Sequence, residues 1–281
     1  MMRYYNNELD LLFDEWIRVL YSEKQDSFCR DGLMINDKEN ESLVDELWED
    51  APRRILFLVK DKDTPDGDDT RRWMIEGEHV TEMRRLRGGI VGRTGFFPNI
   101  ARIFYGLLND DITHRVTFEE VKAHFNEVVR TFNTFPFAFM EAKKEAGFSS
   151  VHFQDVHMAE ERDKDYIKRE FDILAPDIIV CCDAGDVQYD FVVKNYLKGL
   201  YFEEKRYLHP DKEAGECCLR YYPDKHIMVI KSFHPTNRGR RKTQYGIFER
   251  VISPFHNYLL EISERHPGVD INSLLFPRNN Q

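Results

Sequence analysis

The chain has 281 residues, 42% of them hydrophobic and 13% aromatic, enough apolar material for one large domain or two small ones. A formal net charge of −10 argues against a polybasic membrane binder or a general nucleic-acid coat protein, but it leaves room for a local basic cleft, because local field decides anion binding. The five cysteines include two adjacent pairs, Cys181-Cys182 and Cys217-Cys218. They have neither the Cys-x-x-Cys spacing of a zinc site nor the even count of a disulfide framework, so reduced thiols in a cytoplasmic setting are expected. Met1 to Asp10 shows no signal-peptide apolar core, and no stretch approaches the ~20 apolar residues of a membrane span.

In chain order, residues 8–22 read as an amphipathic helix with Leu11, Leu12, Trp16, Val19 and Leu20 at helical spacing. Residues 40–50 read as a second helix, with Asn40 as its N-cap. After Pro52, the continuous apolar run 53–59 predicts a strand buried on both faces, followed by the polar loop 60–69. Arg84, Arg85 and Arg87 precede a glycine-rich stretch and suggest a basic loop. Residues 98–108 read as a helix with Pro98 in its first turn, and residues 117–130 as another, capped by Thr117 with Glu120 three residues on. Residues 133–140 read as a second buried strand, Asp163 to Leu174 as a helix and residues 178–182 as a third strand. Asp183 and Asp186 then cap a helix reaching about Tyr196. Residues 217–222 and 226–233 suggest an antiparallel pair, and residues 245–263 the last long helix. Strands alternating with helices predict a layered α/β domain around a mainly parallel sheet.

If the sheet is parallel, four strand ends share one edge: Lys60, Asp61 and Asp63; Glu141, Lys143 and Lys144; Asp183 and Asp186; and His234, Thr236 and Asn237. Carboxylates, a histidine and basic residues together suit a site that binds an anion and handles a proton. Read singly, each is also an ordinary solvated loop or helix cap. The stretch Ile227 to Lys242 gathers the strongest set, an apolar run stopping at His234-Pro235 before the basic loop with Arg238, Arg240, Arg241 and Lys242.

The order of these motifs resembles the uracil-DNA glycosylase superfamily, in a divergent bacterial branch. The matching stretches are ILFLVKDKD (55–63), AFMEAKKEAG (138–147), REFDILAPDIIVCC (169–182) and IKSFHPTNRG (230–239), and the resemblance spans about residues 53–263. It implies a three-layer α/β/α sandwich forming a single domain over 1–281, with residues 1–52 an N-terminal helical extension packed on it. It also implies DNA base excision by hydrolysis of the N-glycosidic bond. Asp61 or Asp63 would orient water or stabilise an oxocarbenium-like sugar, and His234 would donate to the base carbonyl. Lys60, Glu141, Lys143, Thr236 and Asn237 would meet the flipped base and its nucleotide, and Arg238, Arg240, Arg241 and Lys242 the phosphate backbone. No cofactor is expected, because the cysteine spacing does not fit the iron–sulfur cluster of some branches. The expected partner is DNA, or a nucleotide or nucleobase ligand, bound by a monomer.

The departures are specific. Lys60 stands where the family's first motif has Gly, Thr64 precedes Pro65, and Thr236 replaces the family's Ser. Glu141 stands where the family presents a base-reading Asn; an ionised Glu only accepts hydrogen bonds, whereas Asn both donates and accepts. Glu141 therefore points away from uracil and toward a base with a donor edge, or toward a nucleic-acid-binding module that has lost the chemistry. A rival enzyme reading is a haloacid dehalogenase-type phosphohydrolase, with Asp61-Lys-Asp63-Thr64 as nucleophile motif, Gly185-Asp-Val-Gln-Tyr-Asp190 as metal motif and Lys143 or Lys144 as its lysine. That reading leaves His234-Pro235 unexplained.

Overall fold

The computed structural model describes residues 3–63, 67–72, 95–147, 152–183, 186–236 and 243–278. The three continuous apolar runs become neighbouring parallel strands: β2 (Ile55–Asp63), β4 (Ile178–Cys182) and β7 (Ile227–Ser232). A fourth parallel strand, β3 (Phe137–Gly147), lies on the other side of β2. These strands carry no polar–apolar alternation because both faces are covered. Ile55, Phe57 and Val59 enter one core while Leu56 and Leu58 enter the other. Each such buried side chain contributes roughly 1.5–3 kcal/mol.

Antiparallel strands close the two edges. β1 (Gly32–Met34) pairs with β3; β6 (Glu216–Tyr222) pairs with β7 and β5 (Glu203–Leu208) with β6. The seven-stranded mixed sheet has the order β1-β3-β2-β4-β7-β6-β5. On one face pack α3 (Phe96–Asn109), α4 (Phe118–Ala123), α5 (Phe125–Thr134), α8 (Gln244–Arg265) and α9 (Ile271–Leu275). On the other pack α1 (Tyr5–Leu20), α2 (Val44–Glu49), α6 (Phe153–Leu174) and α7 (Val187–Phe191). Gly106 sets the approach of α3 to α8, since a Cβ there would come within 2.7 Å of Ile252 Cδ1.

Several expectations are corrected. Asn40 caps nothing; Asp37 accepts from the Glu39 N–H at the head of a 3-10 turn, Lys38–Leu43, and α2 follows. The capping box of Thr117 and Glu120 is present, but the helix expected over 117–130 breaks at His124 into α4 and α5. Asn133 and Thr134 belong to the end of α5, Pro136 precedes β3, and the charged residues Glu141 to Gly147 continue that strand. Helix α6 starts at Phe153, ten residues before Asp163. Beyond α7 the helix changes to a π turn over Val192–Tyr196. Strands β1 and β5 and helix α9 are additional elements, and β1 makes residues 1–52 a contributor to the sheet as well as to the helical layer.

Candidate functional site at the carboxyl edge of the sheet

The parallel register aligns Met140, Leu58, Cys181 and Lys231 in one row across β3, β2, β4 and β7. All four strands run on in the same direction, so Glu141, Lys60, Asp183 and His234 emerge one to three residues beyond that row. The parallel order therefore sets these four residues along one edge of the sheet.

His234 sits at the centre of the described contacts. Its Nδ1 accepts from the Thr236 backbone N–H at 3.3 Å and lies 2.8 Å from the Thr236 hydroxyl. An Nδ1 that accepts leaves the ring proton on Nε2, so the geometry assigns the neutral tautomer with Nε2–H as donor. Burial, together with the Lys60 ammonium, pushes the imidazole down to about 4. The ring is therefore uncharged at neutral pH and can serve as a hydrogen-bond donor without first losing a proton.

Its surroundings come from the start of α3. The Phe96 ring lies 5.6 Å from the imidazole and 6.0 Å from Phe139 of β3, bridging the two strand ends with an aromatic surface. One turn on, the buried Asn99 amide donates to the Pro235 carbonyl at 2.7 Å, and Arg102 donates to Asn99 Oδ1 at 3.1 Å. Arg102, itself buried, lies 5.2 Å over the Phe125 ring, so α3 fixes the His-Pro turn from below. Asn99 and Arg102 were missed as site residues. The available signal was two polar side chains three residues apart in the otherwise apolar run from Phe96 to Leu108.

Glu141 is 1% exposed, and its backbone N–H donates to Asp31 Oδ2 at 2.6 Å. Asp31 also accepts from Lys144 Nζ at 2.5 Å, and Lys144 reaches Glu170 of α6 at 2.9 Å. Burial works to lower the Lys144 ammonium, but Asp31 and Glu170 hold it above its ordinary value. Lys144 is thus committed to a buried ion cluster beneath β3. Lys143 turns back along its own strand to the Glu145 carbonyl at 2.6 Å.

Asp183 caps the next turn as expected: Oδ1 accepts from the Asp186 N–H at 2.8 Å and Oδ2 from the Gln188 N–H at 2.7 Å. Asp186 takes a left-handed conformation, φ 64°, which Asp tolerates better than most residues. Its carboxylate accepts from Lys231 of β7 at 2.7 Å, three residues before His234. Asp190 pairs with Lys194 at 2.7 Å. Asp186 and Asp190 of the phosphohydrolase reading's metal motif, and Lys144 of its two candidate lysines, are therefore engaged in separate ion pairs.

Asp61 and Asp63 end β2, opposite Lys143 and Gly147 of β3, while their side chains lie outside the described set. Asn237, Arg238, Arg240, Arg241 and Lys242 lie outside the described residues, as do Thr64 and the stretch containing Arg84, Arg85 and Arg87. Among the described residues, no group of three or more His, Cys, Asp or Glu side chains is arranged to hold a metal ion. The five cysteines are buried free thiols, and no described helix is long and apolar enough to cross a membrane. No protein-family model matches the chain, and no curated protein shows significant similarity to it.

Proposed function

We propose that the protein is a DNA base-excision enzyme of the uracil-DNA glycosylase type, built on that family's three-layer sandwich. It would hydrolyse the N-glycosidic bond of a deaminated or damaged base. The observation that carries this reading is the state of His234: a neutral imidazole, Nε2–H as donor, beside a lysine and an aromatic ring on the carboxyl edge of parallel strands.

In the proposed reaction the C1′–N bond breaks and its electron pair moves onto the departing base. His234 Nε2–H donates to the base oxygen where negative charge collects, and Lys60 adds a nearby positive charge. A neutral donor suits this step, because it stabilises the anion without giving up a proton beforehand. Asp61 or Asp63 orients the water that attacks C1′ and takes its proton. Phe96 offers a stacking face for the flipped base, and Glu141, as an acceptor, favours a base edge that donates. Arg238, Arg240, Arg241 and Lys242 hold the phosphates.

The test is release of alkali-labile abasic sites from duplexes carrying uracil, hypoxanthine, xanthine or alkylated bases. The parent protein is expected to act on at least one of them. His234→Ala should lower the rate on the order of 10²–10³-fold, with an unchanged melting temperature. Asp61→Ala should lower it by a similar or larger factor. Variants that cut as fast as the parent would remove this site assignment. Salt-sensitive DNA binding with no abasic product from any duplex would leave a binding module in place of an enzyme.

A further inference from the structure

The sheet ends at β5, and among the described residues no strand pairs with the outer side of β5. Which backbone groups face outward follows from the ladder. The Met228 N–H of β7 donates to the Asp177 carbonyl on the β4 side at 2.8 Å, so Val229 turns its N–H and carbonyl to β6, where it meets Arg220. Arg220 faces β7, so Leu219 and Tyr221 face β5, where they meet Lys205 and Glu203. At the other end the His209 N–H donates to the Gly215 carbonyl at 2.9 Å, in the same phase. Glu203, Lys205 and Tyr207 therefore direct their backbone groups to β6, and Glu204, Arg206 and Leu208 present theirs to the outside.

The side chains alternate as well. Lys205 pairs with Glu261 and Glu203 with Arg265, both on α8. Glu204, Arg206 and Leu208 stand exposed on the opposite face, Leu208 at 79%. Phe202, 37% exposed, continues their row, with the Arg220 guanidinium 4.2 Å over its ring. Glu204 accepts from Arg220 at 2.7 Å, and Arg206 lies 3.4 Å from Glu204 and 3.7 Å from Glu216. The two pairs made by Arg206 are long and solvated, so its guanidinium is cheaply released to a better partner.

Charge on an edge strand ordinarily discourages pairing. Here the residue order is self-complementary in one register. An antiparallel mate must set outward-facing residues against outward-facing residues, so a two-fold axis passes through a residue and not between two. Placed at Glu204 or at Arg206, the axis sets like charges against each other. Placed at Lys205, it sets Glu204 opposite Arg206 and Phe202 opposite Leu208, each twice over by symmetry. The Lys205 side chains, turned to α8, keep their Glu261 partners.

We propose that β5 is a self-association edge: two copies of this chain pair antiparallel through it about an axis at Lys205 and form one continuous sheet, in place of the monomer expected from sequence. The axis reverses strand direction, so the two candidate sites lie at opposite ends of the shared sheet. The proposal stands independently of any reaction at His234.

Sedimentation velocity of the full chain over about two decades of concentration, up to roughly 100 µM, should show a monomer–dimer equilibrium. Hydrogen exchange locates the contact. The amides of Glu204, Arg206 and Leu208 should gain protection as the dimer fills, whereas those of Glu203, Lys205 and Tyr207, bonded to β6, stay protected throughout. Arg206→Glu sets carboxylates opposite each other at both equivalent places and should raise the dissociation constant about tenfold or more. Adding Glu204→Arg to it should restore the dimer. Leu208→Asp should weaken the dimer by a similar factor and leave the melting temperature where it was. A chain that stays monomeric over the whole range overturns the proposal and leaves the edge to a strand of another protein. A dimer untouched by Arg206→Glu and Leu208→Asp overturns it too, as does one whose new protection lies away from β5, or a double variant that melts like the parent yet stays dissociated.

Discussion

Helix α6 buries three carboxylates, Glu160, Asp163 and Glu170, along one stripe with Val156, Ile167 and Leu174. The spacing of three and four residues is that of an apolar helix face, yet acids occupy three of its positions. From the middle of the helix onward the charge is answered. Glu170 meets Lys144, and Asp163 accepts from the Tyr21 hydroxyl at 2.8 Å and the Trp16 indole at 3.3 Å and pairs with Arg162. At the amino half, Glu160 is answered by nothing. The difference lies in what faces the helix. The answered acids face β3 and the N-terminal segment, whereas the charges that bear on Glu160, from Asp183, Glu161 and Asp190, are all acidic, and burial together with them pushes its carboxyl up to about 8. Burial of a carboxylate is thus tolerated in two ways on one helix, by a distant partner or by a retained proton.

Removing the partner tests the first way and should have the largest effect. Lys144→Met leaves Asp31 and Glu170 as buried acids without their cation, and stability should drop by roughly 3–5 kcal/mol in urea unfolding. A loss well below that would mean the acids take up protons as Glu160 does, and the contrast would collapse. Asp163→Ala comes next. It leaves the Trp16 N–H and the Tyr21 hydroxyl short of a partner, and should cost about 1–3 kcal/mol in the same assay. Arg169→Ala breaks an exposed 2.8 Å pair between α6 and Glu15 of α1 on the outer side of the same helix. Such pairs are screened by solvent and salt, so the thermal midpoint should stay where it was. A clear shift there would show that the outer contact between α1 and α6 matters as much as the buried one.

The elements legible in the sequence are those whose partners are apolar. Ile55 to Val59, Ile178 to Cys182 and Ile227 to Ile230 announce buried strands, and strands of that kind place His234 on the carboxyl edge. The elements that were not legible bury polar side chains against remote partners. In β5 the half-covered side chains are Glu203, Lys205 and Tyr207. They are met by α8: Glu203 by Arg265 and Tyr258, Lys205 by Glu261, and Tyr207 by Ser253 and Asn257. A two-residue period whose inner members are charged cannot be told from a solvated loop without α8 in view. The charged end of β3 and the first ten residues of α6 were hidden for the same reason. In the site, His234 and its flanking turn were readable, but the hold of Asn99 and Arg102 on that turn crosses more than a hundred residues of sequence and required the fold.

Strand β1 runs antiparallel to β3, and the segment around it is tied down at Arg30↔Asp69, Phe28↔Glu145 and Cys29 N–H to the Lys144 carbonyl at 2.7 Å. During vectorial synthesis this segment is made more than a hundred residues before its sheet partner. Phe13, Trp16 and Phe28 pack tilted or edge-on against one another, Trp16 also stacks on Tyr166, and the cluster must wait for the later chain before it is covered. The hairpin of β6 and β7 can close locally, whereas β1 waits about a hundred residues for β3. The nascent protein therefore carries an aromatic cluster awaiting its cover, and that is where a chaperone would bind it and where failed folding would begin to aggregate.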